Sequence, residues 1–255
     1  MIEKVIEIAG IAGEIVRDGY GKNFEIMLKG SVNNLVTEID KKSESVIIDY
    51  VKKNFNNHSI LAEESGQLKT DSEYVWVIDP LDGTTNFAHG LPIFSVSIGV
   101  QKNGETICGV VYDVMRNAMY SAEKNSGSFL NGKKINVNNN SDLSRSVLVT
   151  GFPYDVAENP LNAVEKFSAF LKKTRAIRRL GSAAIDFCYV AQGVFEGFWE
   201  VSLNPWDICA GKLIVEEAGG IVTDFSNSEI NIDSKQILAT NKLVHQEMLE
   251  ILQAH

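Results

Sequence analysis

The sequence predicts an α+β half followed by an α/β half, packed around one continuous core. Three observations predict it. Apolar residues at helical spacing open the chain, short β-branched strands joined by turn signals fill residues 74–122, and strands alternate with helices from Val147 onward. At roughly 150 residues per domain, 255 residues fit one large unit or two joined halves. With 44% hydrophobic and 22% charged residues, the chain can build a sizeable core. The halves are assigned as 1–140 and 141–255, with the polar tract Asn136–Ser144 as the boundary and neither a flexible linker nor an internal repeat.

Ile2, Val5, Ile6, Ala9, Ala12, Ile15 and Val16 predict a helix over 2–18. Lys29-Gly30-Ser31-Val32-Asn33-Asn34 is polar and glycine-containing, hence a loop. Helical spacing returns from Asp40 to about Phe55 through Val46, Ile47, Tyr50 and Val51, and Ile60-Leu61 reads as the end of a strand. Tyr74–Ile78 is a short β-branched and aromatic strand that stops at Asp79-Pro80. Phe94–Gln101, Thr106–Asp113 and Ala118–Ala122 follow as an antiparallel meander, turned at Lys102-Asn103-Gly104, with another hairpin signal at Asn131-Gly132. Beyond the polar tract come strand Val147–Thr150, a helix near 158–173, a strand at Ala176–Ile177 and a helix over 181–192. Strand Phe195–Val201 precedes a helix over 206–218 that closes at Gly219-Gly220. Strands Ile221–Thr223 and Ile237–Ala239 and a last helix over 241–252 complete the chain.

The 24 basic and 33 acidic side chains give a net charge of −9. Such a surface repels phosphate backbones and anionic lipid, so neither nucleic acid nor a membrane is expected as a partner. No apolar run approaches the ~18 residues of a membrane span, and Glu3 and Glu7 stand where a signal peptide would be basic. Cys108, Cys188 and Cys209 are odd in number, far apart and in apolar context, as reduced thiols of a cytoplasmic protein would be. GxxxxGK[ST], GxGxxG, HExxH, CxxC and GxSxG are all missing, and the four histidines are too scattered for a zinc site. Lys172, Lys173, Arg175, Arg178 and Arg179 read as a solvated helix end and strand edge, the last two also as a phosphate or subunit contact.

The densest chemical signal is Trp76-Val77-Ile78-Asp79-Pro80-Leu81-Asp82-Gly83-Thr84-Thr85-Asn86. A strand end can aim Asp79, the Leu81 carbonyl and Asp82 at one point, and hard cations want such oxygen ligands. The segment from Gly83 starts a helix whose free N–H groups suit a phosphate. The same residues also suit an Asp-Pro turn and an Asp helix cap. Glu63 and Glu64 follow apolar Ile60-Leu61, either as a solvated pair or with one turned inward. Asp207 opens one helix and Asp40 leads into another, and each acid also reads as a cap. Together, Glu63, Asp79, Asp82 and Asp207 form a candidate carboxylate cluster whose repulsion calls for bound cations. Cations would also let an anionic protein hold an anionic substrate. Paired metals activate water and clamp attacking and leaving oxygens, and phosphoryl transfer needs no covalent catalyst. Hydrolysis is the expected chemistry.

These segments, in this order, resemble the inositol monophosphatase family, within the superfamily of Mg²⁺-dependent, lithium-sensitive phosphatases, over nearly the whole chain. The resemblance rests on Glu63-Glu64-Ser65-Gly66, Asp79 through Phe87, Trp206-Asp207 with Glu217-Ala218-Gly219-Gly220, Gly181-Ser182-Ala183-Ala184, and Val36-Thr37 to Asp40. Val110-Val111-Tyr112-Asp113, Met115-Arg116-Asn117, Thr150-Gly151-Phe152-Pro153 and Arg178-Arg179 are most similar to bacterial inositol-1-monophosphatases. The resemblance implies a layered αβαβα sandwich of the sugar-phosphatase type, a homodimer, and two or three Mg²⁺ per site. It implies that Glu63, Asp79 and the Leu81 carbonyl bind one metal, that Asp79, Asp82 and Asp207 bind a second, and that Glu63 helps hold a third through waters. Gly83 and Thr84 hold the phosphate, and Thr84 with Asp40 forms a relay that deprotonates water, with Glu63 as a further catalytic residue. Asp82, Ser182, Ala183 and Glu200 meet the alcohol half, and Lys29 comes from a mobile loop. The substrate it implies is a sugar or polyol phosphate, first myo-inositol 1-phosphate, with fructose 1,6-bisphosphate, 3′-phosphoadenosine 5′-phosphate or histidinol phosphate as alternatives. Glu200 favours a polyol, because a carboxylate accepts hydrogen bonds from hydroxyls and repels a second phosphate. A regulatory, partner-binding dimer is the alternative of another class.

Overall fold

A computed structural model describes residues 1–28 and 35–255; Lys29 and the loop expected over 29–34 lie outside the described residues. Helix α1 (Ile2–Gly19) buries Val5, Ile8, Ala9, Ala12 and Val16 along one face. Strands β1 (Ile26–Leu28) and β2 (Leu35–Thr37) pair antiparallel and lead into α2 (Glu38–Asn54). That helix begins two residues before the expected Asp40. Its cap is Thr37, whose hydroxyl accepts the Ile39 and Asp40 N–H groups while the Asp40 carboxylate accepts the Thr37 N–H.

The first large sheet takes β3 (Ser59–Ala62), β4 (Gly66–Leu68) and β5 (Tyr74–Asp82), then the short helix α3 (Thr84–Ala88) intervenes. The meander β6 (Ser95–Lys102), β7 (Glu105–Asp113), β8 (Ala118–Glu123), β9 (Gly127–Leu130) and β10 (Lys133–Ile135) completes it. Its order is β10-β9-β8-β7-β6-β5-β3-β4, with β3 parallel to β5. Asn103-Gly104 and Asn131-Gly132 turn two of its hairpins with all four residues at positive φ, the conformation that makes Asn-Gly a hairpin signal.

The second half contains β11 (Val147–Thr150), α4 (Ala163–Leu171), β12 (Ala176–Arg178), α5 (Ala183–Ala191), β13 (Gly197–Val201), α6 (Pro205–Glu217), β14 (Ile221–Thr223), β15 (Gln236–Thr240) and α7 (His245–Ala254). Its sheet runs β12-β11-β13-β15-β14. β11 is parallel to both neighbours, whereas β15 is antiparallel to β13 and β14.

Three apolar cores hold five layers together. One joins α1 and α2 to the large sheet through Ile8, Ile47, Trp76 and Ile98. The second packs α5 and α6 between the two sheets through Phe187, Ile214, Val111 and Phe198. The third lies under α4 and α7, around Phe170, Trp199 and Met248. The result is the expected αβαβα sandwich.

Several boundaries differ from the sequence reading. β5 continues through Pro80 to Asp82, because its pairing with β6 breaks register between Asp79 and Asp82 and Pro80 owes the ladder no N–H there. The helix expected near 158 starts at Ala163, since residues 156–162 wind into two 3₁₀ turns with Asn159, Leu161 and Asn162 at positive φ. The last helix starts at His245, not 241: Lys242 has φ 74° and the Asn241 side chain takes the N–H groups of Leu243 and Val244. The tract 136–144 is pinned, with Val137 N–H on the Ala218 carbonyl and Asn138 on that of Gly193.

Candidate active site

Residues three apart on a regular strand point to opposite faces. The irregularity between Asp79 and Asp82 cancels that alternation and turns both acids to one side. Asp79 accepts the Leu81 N–H at 3.0 Å, which fixes the bulged turn. Asp207 arrives from α6 and is not the helix cap. Asn204 is, with Pro205 in the first turn, and Asp207 Oδ2 accepts the Asn204 N–H at 2.7 Å. Oxygens of Asp79, Asp82 and Asp207 all lie within 4.8 Å of one another.

Burial and mutual repulsion govern these acids. Burial lifts Asp79 well above the ordinary carboxylate range, and the charges of Glu63, Asp82 and Asp207 add to it. Asp82 is pushed up to about 6 by burial, against hydrogen bonds that favour its charged form. Those bonds come from Ser182 Oγ at 2.5 Å and the Ala184 N–H at 2.9 Å, so the start of α5 clamps this acid. Asp207 is pushed up to about 8, by burial first and then by Asp82. Glu63 directly follows β3 and stands beside Asp79, its own N–H on the Ile78 carbonyl. Glu64 does not face this group by its backbone: its N–H goes to Glu44 Oε2 at 2.8 Å.

Behind the cluster, Thr84 Oγ1 lies 3.0 Å from Asp40 Oδ1 and 3.0 Å from the Leu81 carbonyl oxygen. Asp40 is fully buried, its Oδ2 taken by the Thr37 N–H and hydroxyl, and burial raises its pKa. Gly83 has φ 96°, and a Cβ there would meet the Ile93 carbonyl oxygen at 3.0 Å, so the turn into α3 requires glycine. Asn86 braces this turn by donating to the Ile93 and Leu180 carbonyls.

A cavity of about 610 Å³ opens over the cluster. Glu63, Asp79, Leu81, Asp82, Gly83, Thr84, Ser182, Ala183, Glu200 and Asp207 all line it, whereas Asp40 stands behind Thr84. Glu200 comes from β13, and burial raises its pKa well above the usual range. Its carboxylate rests on Gly151, where a Cβ would lie 2.1 Å from Oε1. Of the basic group, Arg179 lines the cavity while Arg178 is exposed and bonds the Ile177 carbonyl. Sequence reasoning missed Tyr154, at the cavity mouth, and Asp186. Asp186 left a signal: it is the one acid in the apolar helix Ala183–Ala191.

The ligand atoms converging here are carboxylate and carbonyl oxygens, with no histidine or cysteine among the described residues that join them, a set that suits Mg²⁺. The chain matches the model of the Inositol monophosphatase family over residues 1–255. It belongs to that family. It is 42% identical over 254 residues to an inositol-1-monophosphatase of Synechocystis, covering 99% of this chain and 88% of the relative. It is also 42% identical over 252 residues to the Nus factor SuhB of Escherichia coli K12, covering 98% and 94%. The solved structure of an inositol monophosphatase from Anabaena superposes with a TM-score of 0.88 at 39% identity, covering 99% and 95%. The chain is thus a phosphoric monoester hydrolase of a Mg²⁺-dependent family. No described helix is long and apolar enough to cross a membrane.

Proposed function

We propose that this hydrolase removes phosphate from a small polyol phosphate, myo-inositol 1-phosphate first among them. The observation that carries the reading is the placing of Glu200 in the same cavity as the three clustered aspartates. Asp79, Asp82 and Asp207, with Glu63 and the Leu81 carbonyl, would hold two or three Mg²⁺. When bound, Mg²⁺ neutralises phosphoryl charge and makes water a stronger nucleophile near neutral pH.

This chain's own residues do the rest. The N–H groups of Gly83 and Thr84, at a helix start without intrahelical acceptors, receive the phosphate oxygens. Thr84 Oγ1 donates a hydrogen bond to Asp40 Oδ1, a charge-assisted bond that leaves the threonine oxygen free to accept from water. As the water attacks phosphorus, its proton passes to Thr84 Oγ1 and the threonine proton to Asp40. The P–O bond to the alcohol breaks, and the leaving oxygen takes up a proton from solvent water as the alcohol departs between Ser182, Ala183 and Glu200. Glu200 accepts from hydroxyls of the departing polyol and repels a second phosphate.

Phosphate release from myo-inositol 1-phosphate, fructose 1,6-bisphosphate and 3′-phosphoadenosine 5′-phosphate, measured side by side with Mg²⁺ and with chelator, tests this. Preference for the first, abolished by chelator, is expected. Preference for a bisphosphate overturns the role of Glu200, and release that survives chelation overturns the metal assignment.

A further inference from the structure

We propose that Asp186 is a second hydroxyl acceptor for the alcohol half of the substrate, set beside Glu200, so that the cavity selects a vicinal diol. This rests on the polyol reading above and extends it to a residue outside the family motifs that the sequence carries.

Asp186 is 1% exposed, yet it lines the cavity. Its Oδ1 has no hydrogen-bond partner among the described residues. An unsatisfied buried acceptor is costly, more so when charged, and an apolar side chain would avoid that cost. The neighbours show that apolar residues fit here: Ala184, Ile185, Phe187 and Cys188 are all fully buried. The helix does not need the carboxylate either, because its cap is Ser182 and its first-turn bond runs from the Asp186 N–H to the Ser182 carbonyl. A buried polar group without a protein partner calls for an explanation, and a ligand in the adjoining cavity supplies one for Asp186.

Glu200 lines the same cavity and makes no side-chain hydrogen bond among the described residues, and Gly151 leaves room for its carboxylate. The Glu200 charge helps to raise Asp186, and Arg179 counters both acids. Two neighbouring acceptors without donors are complementary to two neighbouring donors without acceptors. Hydroxyls on adjacent carbons provide them. A second phosphate meets two carboxylates instead of one.

The test compares the parent with Asp186→Ala and the isosteric Asp186→Asn at saturating Mg²⁺. It reads the ratio of kcat/KM for myo-inositol 1-phosphate to that for p-nitrophenyl phosphate, an ester without hydroxyls, and the thermal midpoint without substrate. The ratio should fall about 10- to 100-fold in Asp186→Ala, and Asp186→Asn, which keeps one acceptor oxygen, should recover part of it. The midpoint should hold or rise, because an unpaired buried carboxyl is gone. An unchanged ratio in both variants overturns the inference, and a lowered midpoint with an unchanged ratio identifies a structural prop instead. A parent that does not prefer the polyol ester at all overturns the underlying reading before any variant is made.

Discussion

Replacing Asp207 with asparagine should make the metal-free protein more stable and deprive it of stabilisation by Mg²⁺. Without a cation, three carboxylates bring oxygens within 4.8 Å of one another. Two unit charges at that separation repel by ~3.5 kcal/mol at an effective dielectric constant of 20. Protons relieve much of this, because Asp82 and Asp207 keep theirs up to about 6 and about 8. The unfolded chain releases the same protons near pH 3.9. Between those limits the folded state binds more protons than the unfolded one, so metal-free stability falls as pH rises through the window. In Asp207→Asn the amide oxygen can still accept the Asn204 N–H, a bond made at 2.7 Å in the parent, while one charge is lost. About 3 kcal/mol should return at the upper end of the window, or about 6–12 °C in a chain of this length. Thermal melts in chelator, below and above the window, and again with Mg²⁺, read it directly. The parent should lose stability with rising pH and regain it with Mg²⁺; the variant should show a flatter profile and little response to the metal. A variant that melts below the parent at high pH in chelator, or gains as much from Mg²⁺, refutes the reasoning.

Asp82→Asn should remove nearly all phosphate release at saturating Mg²⁺, and turnover within about twofold of the parent would sink the assignment. Thr84→Val should lower kcat about 100-fold by breaking the bond to Asp40, with Thr84→Ser retaining most of it; equal losses in the two variants would show that the hydroxyl moves no proton. His245 bridges Thr223 and Thr240, and burial holds its imidazole down to about 4, from an ordinary 6.5. The unfolded chain therefore binds the extra proton first, so the stability advantage of the parent over His245→Gln should shrink by about 2 kcal/mol as pH falls through that interval. Urea melts at both ends check it, and a constant difference rejects it.

How far the fold was legible depended on whether a signal was local. Period and turn chemistry place α1, the meander and its Asn-Gly hairpins to within a residue or two, because each is decided by residues a few positions apart. The missed features are tertiary. Pro80 ends a strand by propensity, but the bulge against β6 lets β5 run on to Asp82. The sequence reading ran its helix back to about 158, yet Lys166 Nζ reaches back to the Leu161 carbonyl and Asn159 accepts the Val164 N–H, which favours tight turns before α4. The mixed second sheet is equally invisible in the sequence, since nothing near Gln236–Thr240 says that β15 lies between β13 and β14.

The site teaches a different lesson. Read singly, Asp40 and Asp207 are helix-start acids, and a cap accounts for each of them. Both occupy the third position of a capping box rather than the cap itself, and both do accept the N–H of the capping residue, through Oδ2 in each case. A carboxylate has two oxygens. For Asp40 the other one receives Thr84 Oγ1, and Asp207 still joins the aspartate cluster. The structural and chemical readings are therefore not rivals: the capping bond fixes the rotamer of the acid, and a fixed rotamer is what a cation site needs. The same logic separates Asp186, which neither caps its helix nor has a protein partner for Oδ1 among the described residues. An acid with one oxygen spent on the fold explains itself from local sequence; Asp186, whose Oδ1 the fold leaves without a partner among the described residues, is the acid for which the proposed substrate contact offers a use.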